Sequence, residues 1–330
     1  MIIQTRAYSR AGLAGNPSDG YFGKTLSVTL KNYYATITMY ETPDLEILPN
    51  ERDHSYFTDL KSLVSDVNLQ GYYGGIRLIK AAAKRFYDYC RERGIHLDDR
   101  NFTVRYTTNI PVQVGLAGSS AIVTATIRAL MNFYGVEIPK PLIPNLILSV
   151  ETEELGISAG LQDRVTQVYE GLVYMDFDKE LMDKQGYGHY ENMNPNLLPP
   201  LYIAYLSDLS EISGIAHGKL RGRYEAGEDK VVNAMKYFAE CAERARECLL
   251  NNKCDQLGQI MNDNFDKRRE IFPISEMNLK MIEIARSVGA SAKFPGSGGA
   301  MVGTFEDEKM FLKLKEKLGE IGVEVVKPQL

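Results

Sequence analysis

Histidine and cysteine are scarce in this chain, and neither is arranged as a ligand set. The four histidines, at 54, 96, 189 and 217, are scattered over 330 residues, and their spacing suggests neither a His-based metal site nor a Ser/His/Asp triad. Cys90, Cys241, Cys248 and Cys254 form no CxxC pair, and the last three fall in a charge-rich, helix-like stretch. They read as reduced structural thiols rather than zinc ligands or disulfides. Positive charge is not in excess: a net charge of −5 with no basic stripe argues against a nucleic-acid partner. No apolar run approaches the roughly 20 residues that span a bilayer. The start, MIIQTRAYSRAGLAG, has no long apolar h-region, so the expectation is a cytoplasmic protein with no membrane partner.

What remains is ordinary globular material, 44% hydrophobic and 25% charged, long enough for two domains or one large one. Strand character, rich in β-branched and aromatic residues, appears at 25–38, 101–112, 168–177, 201–206 and 300–305. Helical periodicity appears at 74–94, 119–135, 142–155, 228–251, 253–271, 275–288 and 306–319. Strands come in runs rather than in strict βαβ alternation, so the expected class is α+β, not a doubly wound parallel sheet. A turn-rich section at 178–200 places the domain boundary near it, giving 1–185 and 186–330.

Three glycine-rich segments carry the chemistry. In VGLAGSSA (114–121), glycines permit unusual backbone angles and close approach by a ligand, and two serines open a helix. Free N–H groups at a helix start suit a phosphate, and a serine hydroxyl suits its cation. A plain N-cap with tightly packed glycines explains the same residues equally well. KFPGSGGAMVG (293–303) reads either as a second phosphate loop or as an ordinary connection into a strand. SRAGLAGNPSDGYFGK (9–24) contains NPSDG, which taken alone is a surface turn. GxxxxGK[ST], a GxGxxG following a strand, and the HRD and DFG elements of protein kinases are all missing, so any phosphate is bound by another architecture.

The order and spacing of AYSRAGLAGNPSDGYFGK, IPVQVGLAGSSAIV and KFPGSGGAMV resemble the three signature motifs of the GHMP small-molecule kinases. The middle motif is one residue longer than the common G-L-G-S-S-A and is similar to the G-L-G-T-S-S-A form of heptose and fucose 1-kinases. GNPSDGYFGKTLS, GYYGGIRL, TNIP, GLQDRVTQVYEGLVYMDF, LLPPL and NFDKRR resemble the glucuronokinase branch, so the likeness covers nearly the whole chain. It implies a two-lobe fold, with an N-terminal domain like ribosomal protein S5 domain 2 and a ferredoxin-like C-terminal domain.

The resemblance also implies roles. Gly115, Leu116, Ala117, Gly118, Ser119 and Ser120 would cradle the ATP phosphates, joined by Gly296, Ser297, Gly298 and Gly299. Ser120 and Glu151 would ligate Mg²⁺, which takes hard oxygens and keeps waters. Glu153 and Glu154 read as a solvated acidic helix end. Asp163 matches the catalytic aspartate, and Arg10 the cation beside the reacting hydroxyl. Asp19 matches a sugar-hydroxyl ligand, and Asn16 stands where galactokinases carry a glutamate that would repel an anionic sugar. A uronate carboxylate needs a cation from among Lys24, Arg77, Arg164, Arg268 and Arg269; Arg164 is preferred and Arg268 follows. Tyr72 and Tyr73 are either an adenine wall or core.

The implied activity is ATP- and Mg²⁺-dependent phosphorylation of the anomeric hydroxyl of D-glucuronate. The competing readings are another anomeric sugar kinase, acting on galacturonate, heptose or fucose, and a nucleotide-binding regulator that has lost catalysis. The regulator is disfavoured because Arg10, Ser120, Glu151 and Asp163 are all present.

Overall fold

The structure is a computed structural model that describes residues 1–50, 53, 74–206 and 217–330, with the side chains of 217–219 left aside. In chain order its elements are β1 (Ile2–Ala14), β2 (Lys24–Thr42), β3 (Glu46–Ile47), α1 (Gly75–Glu92), β4 (Asn101–Thr108), α2 (Gly118–Tyr134) and α3 (Ile143–Ser149). There follow α4 (Gln162–Tyr169), β5 (Leu172–Asp176), α5 (Lys179–Gln185), β6 (His189–Met193), β7 (Leu201–Leu206), α6 (His217–Glu225) and α7 (Asp229–Leu250). The chain closes with α8 (Leu257–Arg269), α9 (Glu276–Ser287), β8 (Ala300–Thr304), α10 (Glu308–Gly319) and β9 (Val323–Val326). This is the expected α+β class.

Two compact units divide the chain: Met1–Ala7, Tyr33–Ile110 and Gly118–Ala159 form one, and Tyr8–Asn32, Pro111–Ala117 and Gly160–Leu330 form the other. They interleave in sequence because β1 and β2 each supply residues to both. A linear boundary between 185 and 186 does not coincide with this division: β6 lies beyond it yet pairs antiparallel with β5, placing Tyr174 opposite Glu191.

In the first unit, β4 pairs antiparallel with the later part of β2, Ile37 opposite Tyr106, and β3 lies parallel to β4. Buried Leu78, Ile79, Ala82, Phe86 and Cys90 recur at helical spacing on α1. Phe102 meets the buried Phe133 of α2 edge-on at 5.3 Å. Helix α2 is buried on nearly every side from Ser120 to Ile127, so it is the unit's central rod rather than a surface helix. After α3 the backbone widens into a single π-turn, Val150–Glu154, a local irregularity found often at functional sites.

The second unit holds the antiparallel sheet β8-β7-β9, with Ile203 opposite both Val302 and Val326. Phe265, Met281, Ile282, Phe311 and Leu314 pack in the core beside this sheet. A smaller cluster of Leu220, Val231, Met235, Phe238, Ile271 and Phe272 is covered by Tyr21 and Tyr224. The early part of β2 pairs with β5, Leu26 opposite Tyr174.

The strand expected at 168–177 begins later. Val168 and Tyr169 end α4, Glu170 and Gly171 turn the chain at φ of 60° and 80°, and β5 starts at Leu172. Among the described residues no helix is long and apolar enough to cross a membrane.

Candidate active site

Arg10 sits near the end of β1 with its side chain 6% exposed, and its Nε donates to Asp163 Oδ1 at 2.6 Å. Its Nη1 donates to the carbonyls of Gly115 at 2.8 Å and Pro295 at 3.1 Å. One guanidinium thus joins all three glycine-rich segments and the first turn of α4. Fork geometry is what permits this; an ammonium could not hold the same set in one plane.

Burial alone would push the Asp163 carboxyl up. The charges of Arg10 and Arg164, and hydrogen bonds from Arg10 and Gln162, outweigh it and hold Asp163 below the usual carboxylate range. Asp19 shows the opposite balance. Burial and the neighbouring Asp163 charge raise it to about 6, against a hydrogen bond from the Gln162 backbone N–H and the charges of Arg10 and Arg164. Two carboxyls in one neighbourhood are therefore driven apart, the pattern that separates an ionised base from a group that titrates near neutrality. Gly160 makes room for this pair, since a Cβ there would stand 2.0 Å from Asp19 Oδ2.

The loop before α2 alternates its backbone. Gln113, Gly115 and Ala117 have φ of 58°, 72° and 62°, a left-handed conformation costly for the two non-glycine residues. Such alternation turns N–H groups toward one concavity, the geometry of an anion nest. Ala117 is held by the Gln167 side chain, whose Nε2 donates to its carbonyl at 3.0 Å. At Gly115 a Cβ would meet the Gly298 carbonyl at 2.9 Å, so the loop before α2 and the loop before β8 touch backbone to backbone.

Several of the candidate residues have partners within the chain. Asn16 was expected at the sugar, but it is buried and both ends of its amide are engaged: the oxygen accepts from Lys293 Nζ, and Nδ2 donates to the Phe294 carbonyl at 3.3 Å. Arg268 was expected as a uronate anchor, yet its Nη1 and Nη2 donate to the Gly296 and Ser297 carbonyls at 3.0 and 3.2 Å. Burial lowers its pKa to about 10. Arg164 is buried, donates from Nη1 to the Gly160 carbonyl at 2.8 Å, and stands 3.4 Å from Asp163 Oδ2. Lys24 is paired with Glu243 at 2.6 Å and Asp176 at 3.3 Å. The Gly299 N–H is also occupied, by Asn278 Oδ1 at 3.2 Å.

Sequence reading missed Lys293. It is 1% exposed and donates to the Gly12 carbonyl at 2.7 Å and the Phe294 carbonyl at 2.8 Å, as well as to Asn16. Burial, with the charges of Arg268 and Arg10, pulls its pKa well below the ordinary lysine value. The available signal was a lysine abutting the third glycine segment, which an exposed cation would equally explain.

In the other unit, the Ser119 hydroxyl donates to Glu151 Oε1 at 2.8 Å, and the π-turn places Glu151 at 1% exposure. Ser120, the expected metal ligand, is the next residue on α2 and is buried. Glu153 and Glu154 form ion pairs with Arg85 at 2.9 Å and Lys84 at 2.7 Å, as a charged helix face would. Among the described residues no cluster of three or more His, Cys, Asp or Glu side chains could hold a metal ion by itself. Tyr72 and Tyr73 lie outside the described residues.

Residues 77–171 match the GHMP kinases N terminal domain. Glucuronokinase 1 of Arabidopsis thaliana is 47% identical over 91% of this chain and 84% of that protein. Probable glucuronokinase 2 of the same plant is 48% identical over 91% of this chain and 84% of its own length. In fold, the chain is similar to Lactococcus lactis galactokinase complexed with galactose, at a TM-score of 0.78 and 12% identity over 100% of this chain and 93% of that one. The chain belongs to the GHMP kinases, in company with the plant glucuronokinases.

Proposed function

We propose that this protein is a sugar-1-kinase that transfers the γ-phosphoryl group of ATP to the anomeric hydroxyl of D-glucuronate, releasing glucuronate 1-phosphate and ADP. The observation that carries the reading is the Arg10–Asp163 pair, 2.6 Å apart beside the glycine loops, in a chain 47% identical to a protein named glucuronokinase.

Phosphoryl transfer asks the protein for position and charge more than for covalent chemistry. Asp163, held ionised, accepts a hydrogen bond from the 1-hydroxyl and aims its oxygen at the γ-phosphorus. As the new O–P bond forms and the bond to the β-γ bridging oxygen breaks, the hydroxyl proton passes to Asp163 and ADP departs with the electron pair. Arg10 keeps Asp163 charged before the step and offsets negative charge that gathers during it. Asp19 accepts hydrogen bonds from neighbouring sugar hydroxyls. The alternating backbone of residues 113–117 offers N–H groups to the phosphates.

ATP chemistry of this kind uses Mg²⁺, and the donor set fits one: a hydroxyl at Ser119 or Ser120 and the buried carboxylate of Glu151 are hard oxygens, enough for an ion that keeps waters. Bound there, the ion would neutralise phosphate charge.

The test is Mg²⁺-dependent ADP release with glucuronate, galacturonate, galactose, fucose and a heptose as acceptors. Preference for glucuronate is expected. Turnover of a different sugar would replace the substrate, and ATP binding without turnover of any sugar would favour the regulator.

A further inference from the structure

A uronate presents a C6 carboxylate, and the cations that sequence reading offered for it are largely occupied. Lys24 is tied to two carboxylates, Arg268 to two loop carbonyls, and Arg164 to the Gly160 carbonyl and Asp163. Neither Arg77 nor Arg269 is recorded in contact with the Ser18–Tyr21 turn that carries Asp19, whereas Arg221 is.

We infer that Arg221 of α6 is the specificity-determining cation for the sugar carboxylate, an inference that rests on the substrate class proposed above. Its Nη2 lies 3.3 Å from the Gly20 carbonyl, on the turn Ser18–Tyr21 that also carries Asp19. Among the described residues this one long hydrogen bond is the only partner recorded for the guanidinium, and no carboxylate lies within ion-pair distance of it. Arg221 is exposed, unlike Arg164 and Arg268.

The placement is fixed rather than accidental. Tyr21 and Tyr224 meet ring to ring at 4.7 Å, one on the turn and one on α6, and both cover the cluster that includes the buried Leu220. Helix α6 is thereby pinned to the turn through the residues that flank Arg221. Beside the guanidinium there is room: a Cβ on Gly20 would meet nothing within 4 Å except Arg221 Nη2, at 3.9 Å. The same turn reaches the chemistry on its other side, where Asp19 accepts from the Gln162 N–H, one residue before Asp163. Asp19 and Gly20, whose carbonyl receives Arg221, are consecutive residues of that turn, so the acidic group and the contact of the basic group share one short stretch of backbone. A sugar held by its hydroxyls at Asp19 can then offer a carboxylate to a planar cation that accepts it in paired hydrogen bonds.

The experiment compares steady-state kinetics of wild type, Arg221→Ala and Arg221→Lys with glucuronate and with glucose, its neutral counterpart, at saturating ATP and Mg²⁺. Arg221→Ala is expected to raise KM for glucuronate roughly 10- to 100-fold, the range of a charge-assisted hydrogen bond, and to leave KM for ATP within about twofold. It should also narrow the preference for glucuronate over glucose, with Arg221→Lys restoring part of it. A wild type that prefers glucuronate, with an Arg221→Ala variant that keeps the preference, overturns this inference alone. Equal loss toward both sugars does the same, because it marks a structural role. A wild type with no preference for glucuronate overturns the substrate reading and the inference together.

Discussion

Arg10 Nε and Asp163 Oδ1 stand 2.6 Å apart, and the arginine that makes this pair also holds the Gly115 and Pro295 carbonyls. Charge and backbone geometry are thus fixed by one side chain. Asp163→Asn keeps the shape, removes the proton acceptor and leaves a buried guanidinium without its anion. The expected outcome is a fall in kcat of about 10²- to 10⁴-fold with KM for ATP little changed. Arg10→Lys keeps a charge but cannot reproduce the fork, and should lower kcat as well. Single-turnover assays that separate binding from chemistry check both. A normal kcat in Asp163→Asn would remove it from the mechanism.

Asp19 provides a pH signature. Its folded pKa, about 6, lies above the ordinary carboxylate value of 3.8. The folded state therefore binds more protons than the unfolded one between those values, and the contribution of Asp19 to stability falls as pH rises through that window. Asp19→Asn should raise the melting temperature by a few degrees at pH 8 and by less at pH 5. If ionised Asp19 is what accepts the sugar hydroxyls, the wild-type kcat/KM for sugar should decline as pH falls, with an apparent pKa near 6, and this acid limb should disappear in Asp19→Asn together with most sugar affinity. Asp163 has the opposite sign: its lowered pKa stabilises the fold above the ordinary carboxylate range, and that stabilisation is lost on acidification.

Much of this arrangement was legible because glycine, serine and helical periodicity leave strong marks. The 119–135 helix, the loop that opens it and the long β2 are of this kind. Strand β1 was not legible. Its inward positions include Thr5, Ala7 and Ser9, too small or polar to look like a hydrophobic alternation. The intrachain contacts of Arg268 and Asn16 were hidden for a different reason. Sequence spacing gives no indication that a guanidinium or an amide meets carbonyls of its own chain, here the Gly296 and Phe294 carbonyls. The three signature segments are visible in the sequence as segments, while Lys293, which fastens two of them, carries no mark that sets it apart from a surface lysine.

That lysine supports a stability prediction. Lys293→Met removes the donor shared by the Gly12 and Phe294 carbonyls and the Asn16 amide, leaving buried acceptors unpaired at a cost on the order of 3 kcal/mol. Denaturant titration should show a lower midpoint, and Asn16→Ala should lose less because Lys293 keeps its two carbonyls. Since burial makes the folded lysine release its proton more readily than the unfolded one, wild-type stability should gain from rising pH on approach to the ordinary lysine range, a trend absent in Lys293→Met.

The Ser119–Glu151 hydrogen bond, 2.8 Å long, joins the first turn of α2 to the π-turn after α3 and bears on two explanations of the buried Glu151 carboxylate. If Glu151 only anchors α2, Glu151→Gln keeps a side chain that can accept from Ser119, and the Mg²⁺ dependence of the reaction should stay where it was. If Glu151 contributes an oxygen to the ion that accompanies ATP, the same substitution removes the charge that attracts the ion. The Mg²⁺ concentration for half-maximal velocity should then rise about 10-fold or more, with sugar KM unaffected. Ser119→Ala and Ser120→Ala divide the remaining question. Ser119→Ala frees the Glu151 carboxylate from its hydroxyl donor, whereas Ser120→Ala removes the hydroxyl that the GHMP likeness assigns to the metal. A larger shift in Mg²⁺ dependence for Ser120→Ala means that Ser119 positions Glu151 while Ser120 binds the ion; the reverse order assigns the metal to Ser119.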